Sequence, residues 1–227
     1  MSSERDLTRV GAALAAPARS VFVNLLLDGT ARPAGELGRA AGVRASTASE
    51  HLGVLMEAGL VTREKHGRYH YYSLAGPEVA LALESLGPLA DGVPVTSLRR
   101  SRQARRLAAA RFCYDHLAGR LAVALADAWT HHGWLHERDV LAPTDAGVDG
   151  LCDLGVDVEN AVRARRPTVR ACLDWTERRP HLGGALGVAV ALRFVETGWV
   201  VRHPSGRGVD VTPAGRDLLR RKWGILV

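Results

Sequence analysis

Two short clusters in the second half of the chain combine a thiol, a carboxylate and an imidazole: Cys113, Asp115 and His116, then Cys172, Asp174 and His181. Thiolate and imidazole together suit zinc or copper(I). The spacing argues against this, because four consecutive residues on one helix cannot all face one ion. Buried cysteines are common and often inert, so the same residues could cap helices and fill a core. Three readings stay open: structural residues, a small-molecule or redox pocket, and a metal at Cys113, His116, Cys172 and His181. The metal ranks last, and the expectation is no cofactor.

A second set lies near the N-terminus, in AGVRASTASEHLGVLMEAGLVTREKHGRYHYYSL (41–74). Arg44, Ser46, Thr47, Ser49 and His51 open a helical pattern. Arg63, Lys65, His66 and Arg68 follow at a hairpin tip. Short polar side chains on a helix can reach base edges, and cations on a hairpin can meet phosphates.

The elements that must position these groups read as follows. Apolar spacing predicts a helix over 4–14, and Pro17 opens a second that Asp28-Gly29 ends. A third runs from Pro33 to Ala41 with Gly42 as its stop, and a fourth from about Ala45 to Ala58. LVTREK and RYHYYSL alternate as strands around His66-Gly67. A further helix spans 76–89, and residues 92–97 look like a domain junction. Helix, helix, helix–turn–helix, hairpin, helix is the order of a winged helix–turn–helix, whose second helix enters a DNA major groove. Winged-helix units also serve as protein-docking modules, and the alternative reading is such a module beside a small-molecule-binding or enzymatic C-terminal domain; DNA binding is the preferred reading because wing cations and a polar helix face coincide.

At 227 residues the chain can form two domains, 1–92 and 98–227, each with a core. A net charge of +6, carried by 28 Arg and two Lys, favours polyanion partners. Residues 98–112 hold six of those Arg and no acid, which reads as a solvated helix or linker. The N-terminus lacks a signal-peptide pattern and no apolar run is long enough for a membrane span, so a cytoplasmic, membrane-free location is expected. Three cysteines do not make a disulfide framework. A phosphate loop, a nucleophile elbow and an HExxH pair are all missing, so an enzyme is not expected. His131, His132 and His136 read as exposed residues at a helix end.

LAAPARSVFVNLLLDG and the 41–74 stretch together resemble the ArsR/SmtB family of bacterial regulators. The matching pieces are A-x-P-x-R before helix two, S-T-x-S-x-H-L-x-x-L-x-x-A-G-L-V, and G-R-x-x-Y-Y-x-L in the wing. The resemblance covers about residues 5–90. It implies a homodimeric repressor on a pseudo-palindromic double-stranded operator, released by an effector, with a seam of Leu7, Val10 and Leu14 against Val79, Leu83 and Leu86. The family's metal-sensing positions are not matched: TARPAGELGRAAGV has no Cys or His, and the closing helix offers only Glu78 and Glu84.

The signal is therefore expected in the second half, which contains a repeat. HLAGRLAVALADAWTHHGWL (116–135) matches HLGGALGVAVALRFVETGWV (181–200) at constant offset, extended by CYD against CLD and TDAG against TPAG. The fold expected for the whole chain is mainly α with small β-hairpins (α+β), the second part a tandem of winged-helix-like repeats at about 111–155 and 168–223. A small-molecule, redox or metal effector is expected where the copies meet, lined by Trp129, Trp134, Phe194 and Trp199, with Cys113, Asp115, His116, Cys172, Asp174 and His181 as polar groups.

Overall fold

The computed structural model describes residues 6–90, 98–136, 140–204 and 206–227. They form two compact units, 1–83 and 84–227. This division falls within a helix, and the expected junction 92–97 lies outside the described residues.

The first unit runs α1 (Thr8–Leu14), α2 (Pro17–Leu26), β1 (Arg32–Pro33), α3 (Ala34–Ala41), α4 (Ala45–Glu57), β2 (Val61–His66), β3 (Tyr69–Leu74) and α5 (Pro77–Ser85). Pro17 sits at the start of α2, where its missing N–H costs nothing. Gly42 ends α3 in the left-handed region at φ 69°. A Cβ on Gly38 would stand 3.0 Å from Val43 O and 3.1 Å from the Ala48 Cβ, so this glycine lets α3 and α4 approach closely. Phe22, Leu26, Leu37, Ala48, Leu52 and Leu55 are closed to solvent and form the core beneath both helices. The three strands are antiparallel in the order β1-β3-β2.

Three details depart from expectation. The first helix begins at Thr8, with Asp6 accepting the Thr8 N–H. Residues 32–33 pair with β3 where a plain connector was expected. α5 stops at Ser85, and residues 87–89 form a 3-10 turn, since Pro88 disfavours helical geometry in the residue before it.

The second unit continues with α6 (Leu98–Ala109), β4 (Arg111–Cys113), β5 (His116–Ala118), α7 (Arg120–His131), α8 (Asp145–Asp153), α9 (Val158–Arg163), β6 (Arg170–Leu173), β7 (Pro180–Gly183), α10 (Gly184–Glu196), β8 (Val200–Arg202), β9 (Val209–Val211) and α11 (Pro213–Trp223). The internal similarity has a structural counterpart. β4–β5 leads into α7 as β6–β7 leads into α10, with Gly119 and Gly184 both at positive φ at the entry (83° and 79°). Thr144 then caps α8 and bonds the Gly133 carbonyl at 2.6 Å, while Thr212 caps α11 and bonds Gly198 at 2.7 Å. Where the second segment has the β8–β9 hairpin, the described residues of the first have a bridge from Leu135 to Pro143. The hairpins that open each segment, β4–β5 and β6–β7, carry the Cys and His residues.

Candidate functional site

α4 presents two faces. Ala48, Leu52 and Leu55 are buried, whereas Ser46, Ser49 and Glu50 are exposed and Thr47 is half-buried; Arg44, just before the helix, is also exposed. Ser49 bonds back to the Ala45 carbonyl at 3.0 Å and keeps acceptor capacity outward. His51 belongs to the other face. Its Nδ1 is 3.2 Å from an Arg19 guanidinium nitrogen, and its ring meets Phe22 edge-on at 6.2 Å. The expected DNA contact of His51 therefore competes with a positioning role inside the unit. At i+3 from Ala48 it falls on the inward stripe, where it fixes α4 against α2.

Residues 62–70 of the wing are exposed on both faces, with Val61, Tyr72 and Leu74 anchoring its root. The register pairs Arg63 with Tyr72 and Lys65 with His70, so these cations share one face. Glu64, His66, Tyr69 and Tyr71 share the other. His66 lies 3.4 Å from the Glu64 carboxylate and edge-on to Tyr71, and Arg68 covers the Tyr69 ring at 5.3 Å. Arg63 therefore joins Lys65 as a candidate phosphate contact. Strand alternation already marked it.

The two thiol clusters converge. Cys113 and His116 are a cross-strand pair on the β4–β5 ribbon, around a two-residue turn that begins at Tyr114 (φ 61°). Cys172 and His181 are the same pair on β6–β7, where the residues from Asp174 to Arg179 lengthen the turn. These residues lie on strands and not on one helix, which removes the objection drawn from spacing. The four donor atoms lie within 4.8 Å of one another, all buried. Cys113 Sγ is 3.8 Å from Cys172 Sγ, and His116 Nε2 is 3.2 Å from His181 Nε2.

Each imidazole has a carboxylate behind it. Asp115 Oδ1 is 3.2 Å from His116 Nδ1, and Arg166 holds the other Asp115 oxygen. Asp174 Oδ2 lies 3.9 Å from His181 Nδ1, which makes no hydrogen bond. Asp174 accepts from Arg111 at 2.9 Å, the Gly119 N–H at 2.6 Å, and Thr176 and Glu177. Burial opposes the Asp174 charge, but Arg111 and these donors hold its carboxyl well below the usual carboxylate range. The neighbouring Cys172 thiol and burial push Cys113 up to about 12. Burial opposes charge on His116, yet Asp115 and Cys113 raise it to about 9; burial lowers His181. A thiol so disfavoured as a thiolate is a poor nucleophile.

The aromatics expected to line an effector pocket divide: Trp129 and Phe194 are buried, Trp134 and Trp199 half-buried. Trp129 and Phe194 are closed to solvent and packed: Trp129 stacks on Trp134 and meets Trp223 edge-on at 5.7 Å, while Phe194 meets Trp199 at 5.2 Å. They belong to the core of the second unit. A half-open cleft of about 730 Å³ lies elsewhere, along α6, α7, β9 and α11, with Arg105, Arg120 and Arg216 beside Leu121, Val211 and Leu226. The Arg-rich run is not simply solvated either, since Arg106 bonds His203 and pairs with Asp210. Of the exposed-histidine reading at the helix end, His131, His132 and His136 are all exposed.

A family profile described as a helix-turn-helix domain matches residues 14–64. The chain is 39% identical to YdfF of Bacillus subtilis, described as an uncharacterized HTH-type transcriptional regulator, over 98% of this chain and 99% of the relative. It is 41% identical over 83 residues to the HTH-type transcriptional regulator CmtR of Mycobacterium tuberculosis, covering 37% of this chain and 70% of that relative. Among solved structures, the winged helix-turn-helix DNA-binding domain of Mb0332 from Mycobacterium bovis, titled a possible ArsR-family regulator, covers 40% of this chain and 91% of that one. Its identity is 31% and its TM-score 0.35. Among the described residues no helix is long and apolar enough to cross a membrane.

Proposed function

Because the chain belongs to the HTH-type transcriptional regulators, which bind DNA, we propose that it is a homodimeric repressor of the ArsR type, released from a pseudo-palindromic operator by an effector acting on residues 98–227. The observation that carries the DNA reading is the wing. A hairpin that served only structure would bury one face, yet residues 62–70 bury neither and set Arg63 and Lys65 together. Exposed Arg44, Ser46 and Ser49 supply the polar helix beside it in the same unit, with Thr47 half-exposed.

Dimerisation is supported by apolar side chains that the single chain leaves in water: Leu7 is 69% exposed at the entry to α1, and Leu86 is 45% exposed after α5. A two-fold dimer would set the recognition helices about 34 Å apart, one DNA turn. The effector reading rests on the second unit, whose mass DNA binding does not need, and on its cleft, where five arginines and three carboxylates surround apolar side chains and suit a small polar molecule with an apolar body. No catalytic role is assigned to it. Footprinting of the full chain on its own promoter tests the proposal. Symmetric protection of two half-sites one turn apart is expected, and a chain that stays monomeric while protecting a palindrome would overturn the dimer.

A further inference from the structure

We propose that Cys113, His116, Cys172 and His181 bind one zinc ion in a closed tetrahedral site that staples the two repeated segments together.

The first argument is metric. With Zn–S near 2.3 Å and Zn–N near 2.0–2.1 Å, a tetrahedron has an S–S edge of about 3.8 Å and an N–N edge of about 3.3 Å. The S–S and N–N edges here are 3.8 Å and 3.2 Å, and the longest donor separation, 4.8 Å, must shorten toward the tetrahedral S–N edge of about 3.6 Å when the ion binds. A disulfide would need sulfurs about 2 Å apart, which this arrangement does not approach.

The second argument is how the ligands are delivered. Each segment contributes one thiol and one imidazole from the same cross-strand pair, Cys113 with His116 and Cys172 with His181. The extra residues in the second turn leave that pair intact, because Asp174 folds the turn back by accepting from the Thr176 and Glu177 N–H groups. Space is kept around the donors as well. A Cβ on Gly183 would stand 3.1 Å from His116 Nε2.

The third is what stands behind the ligands. Metal-bound histidines usually present their second nitrogen to a carboxylate, which fixes the ring and raises its basicity. Here Asp115 faces His116 Nδ1, and Asp174 faces the otherwise unpartnered His181 Nδ1. Each carboxylate has its own arginine, Arg166 and Arg111.

Charge then favours a divalent ion over copper(I). Two thiolates and a divalent cation sum to zero, and each Asp–Arg pair is neutral. Copper(I) would leave a net negative charge in a sealed interior, where an uncompensated charge is costly. With four protein ligands and no open position, the ion's role is structural.

The assignment does not rest on the DNA-binding reading, and its test uses no DNA. The full chain, purified without a histidine tag, should carry one zinc per chain by elemental analysis. Stripped with a chelator under reducing conditions, it should take up one cobalt(II), with the intense visible bands of tetrahedral cobalt and a thiolate-to-cobalt charge-transfer band. Zinc should displace the cobalt. Cys172→Ser and His181→Gln should each abolish that spectrum, whereas Cys152→Ser, an exposed thiol on α8, should leave it unchanged. Asp115→Ala should keep the spectrum and weaken affinity about 10- to 100-fold. Where a ligand variant fails to fold, the unmodified chain's cobalt spectrum decides. A reduced full chain that holds no zinc and gives no tetrahedral cobalt spectrum overturns the site, as does a Cys113–Cys172 disulfide in the freshly isolated protein.

Discussion

Arg111 donates to Asp174 at 2.9 Å with both side chains closed to solvent, which ties the first strand of one repeated segment to the turn of the other. The guanidinium also lies over the Trp175 ring at 4.8 Å, and Asp174 takes the Gly119 N–H at the entry to α7. Removing one partner leaves the other charge buried and unpaired, which costs about 3–5 kcal/mol. Asp174→Ala should therefore lower the urea midpoint sharply, and Arg111→Met should do so comparably. The Arg111→Met, Asp174→Ala double variant should lose much less than the sum of the two. Additive losses would show that the two residues do not act as a pair.

The duplication makes a prediction at two glycines. A Cβ on Gly147 would stand 1.9 Å from the Trp134 carbonyl oxygen, and one on Gly215 would stand 2.0 Å from that of Trp199. Both glycines donate to the capping threonine three residues earlier, Gly147 to Thr144 and Gly215 to Thr212. The obstacle is backbone, so it cannot swing aside. Gly147→Ala and Gly215→Ala should each cost about 3 kcal/mol, the upper part of the range for overpacking. Equal losses of melting temperature are the expected result. A neutral change at one site would break the equivalence of the two turns.

The first unit was readable because its information is local. Pro17, Gly42 and Gly59 punctuate helices, and period-two alternation marks the wing; each signal lies within a few residues of its effect. Arg19 and His51 show where that stops. Both were visible as motif residues, yet only the fold shows Arg19 bonding the Ala12 and Ala13 carbonyls and reaching His51 Nδ1. In the second unit the repeat was legible, but the strands that carry Cys113 and Cys172 are three and four residues long, too short for a periodic signal. The matching Arg-x-Cys in both segments, Arg111 and Arg170, was available two residues before the alignment began. The convergence of four donors joins residues 59 and 65 positions apart, which no spacing rule reaches.

His51 separates a positioning role from a base contact. Its Nδ1 faces Arg19, so His51→Ala leaves that guanidinium nitrogen without its partner, at a cost of about 1–2 kcal/mol. His51→Gln keeps an acceptor and should recover part of that loss. Ser46→Ala should leave the melting temperature unchanged and relax discrimination at one base position, measured by titrating operator variants. A His51→Ala protein of full stability that lost specificity would return this residue to the DNA surface.

The wing offers the sharpest contrast, because its two faces differ in charge. Arg63 and Lys65 project together from β2, whereas His66 sits on the opposite face beside Glu64. Each phosphate contact releases counterions, so losing one changes the slope of log affinity against log salt by about one unit for B-DNA. Arg63→Ala and Lys65→Ala should each reduce the slope by that amount and weaken binding to operator and random DNA alike. His66→Ala should leave the slope where it was, since its ring faces a carboxylate. All these positions are exposed, so thermal stability should not move, and the comparison is free of folding effects. Should His66→Ala flatten the slope while Arg63→Ala and Lys65→Ala do not, the wing meets DNA with its other face.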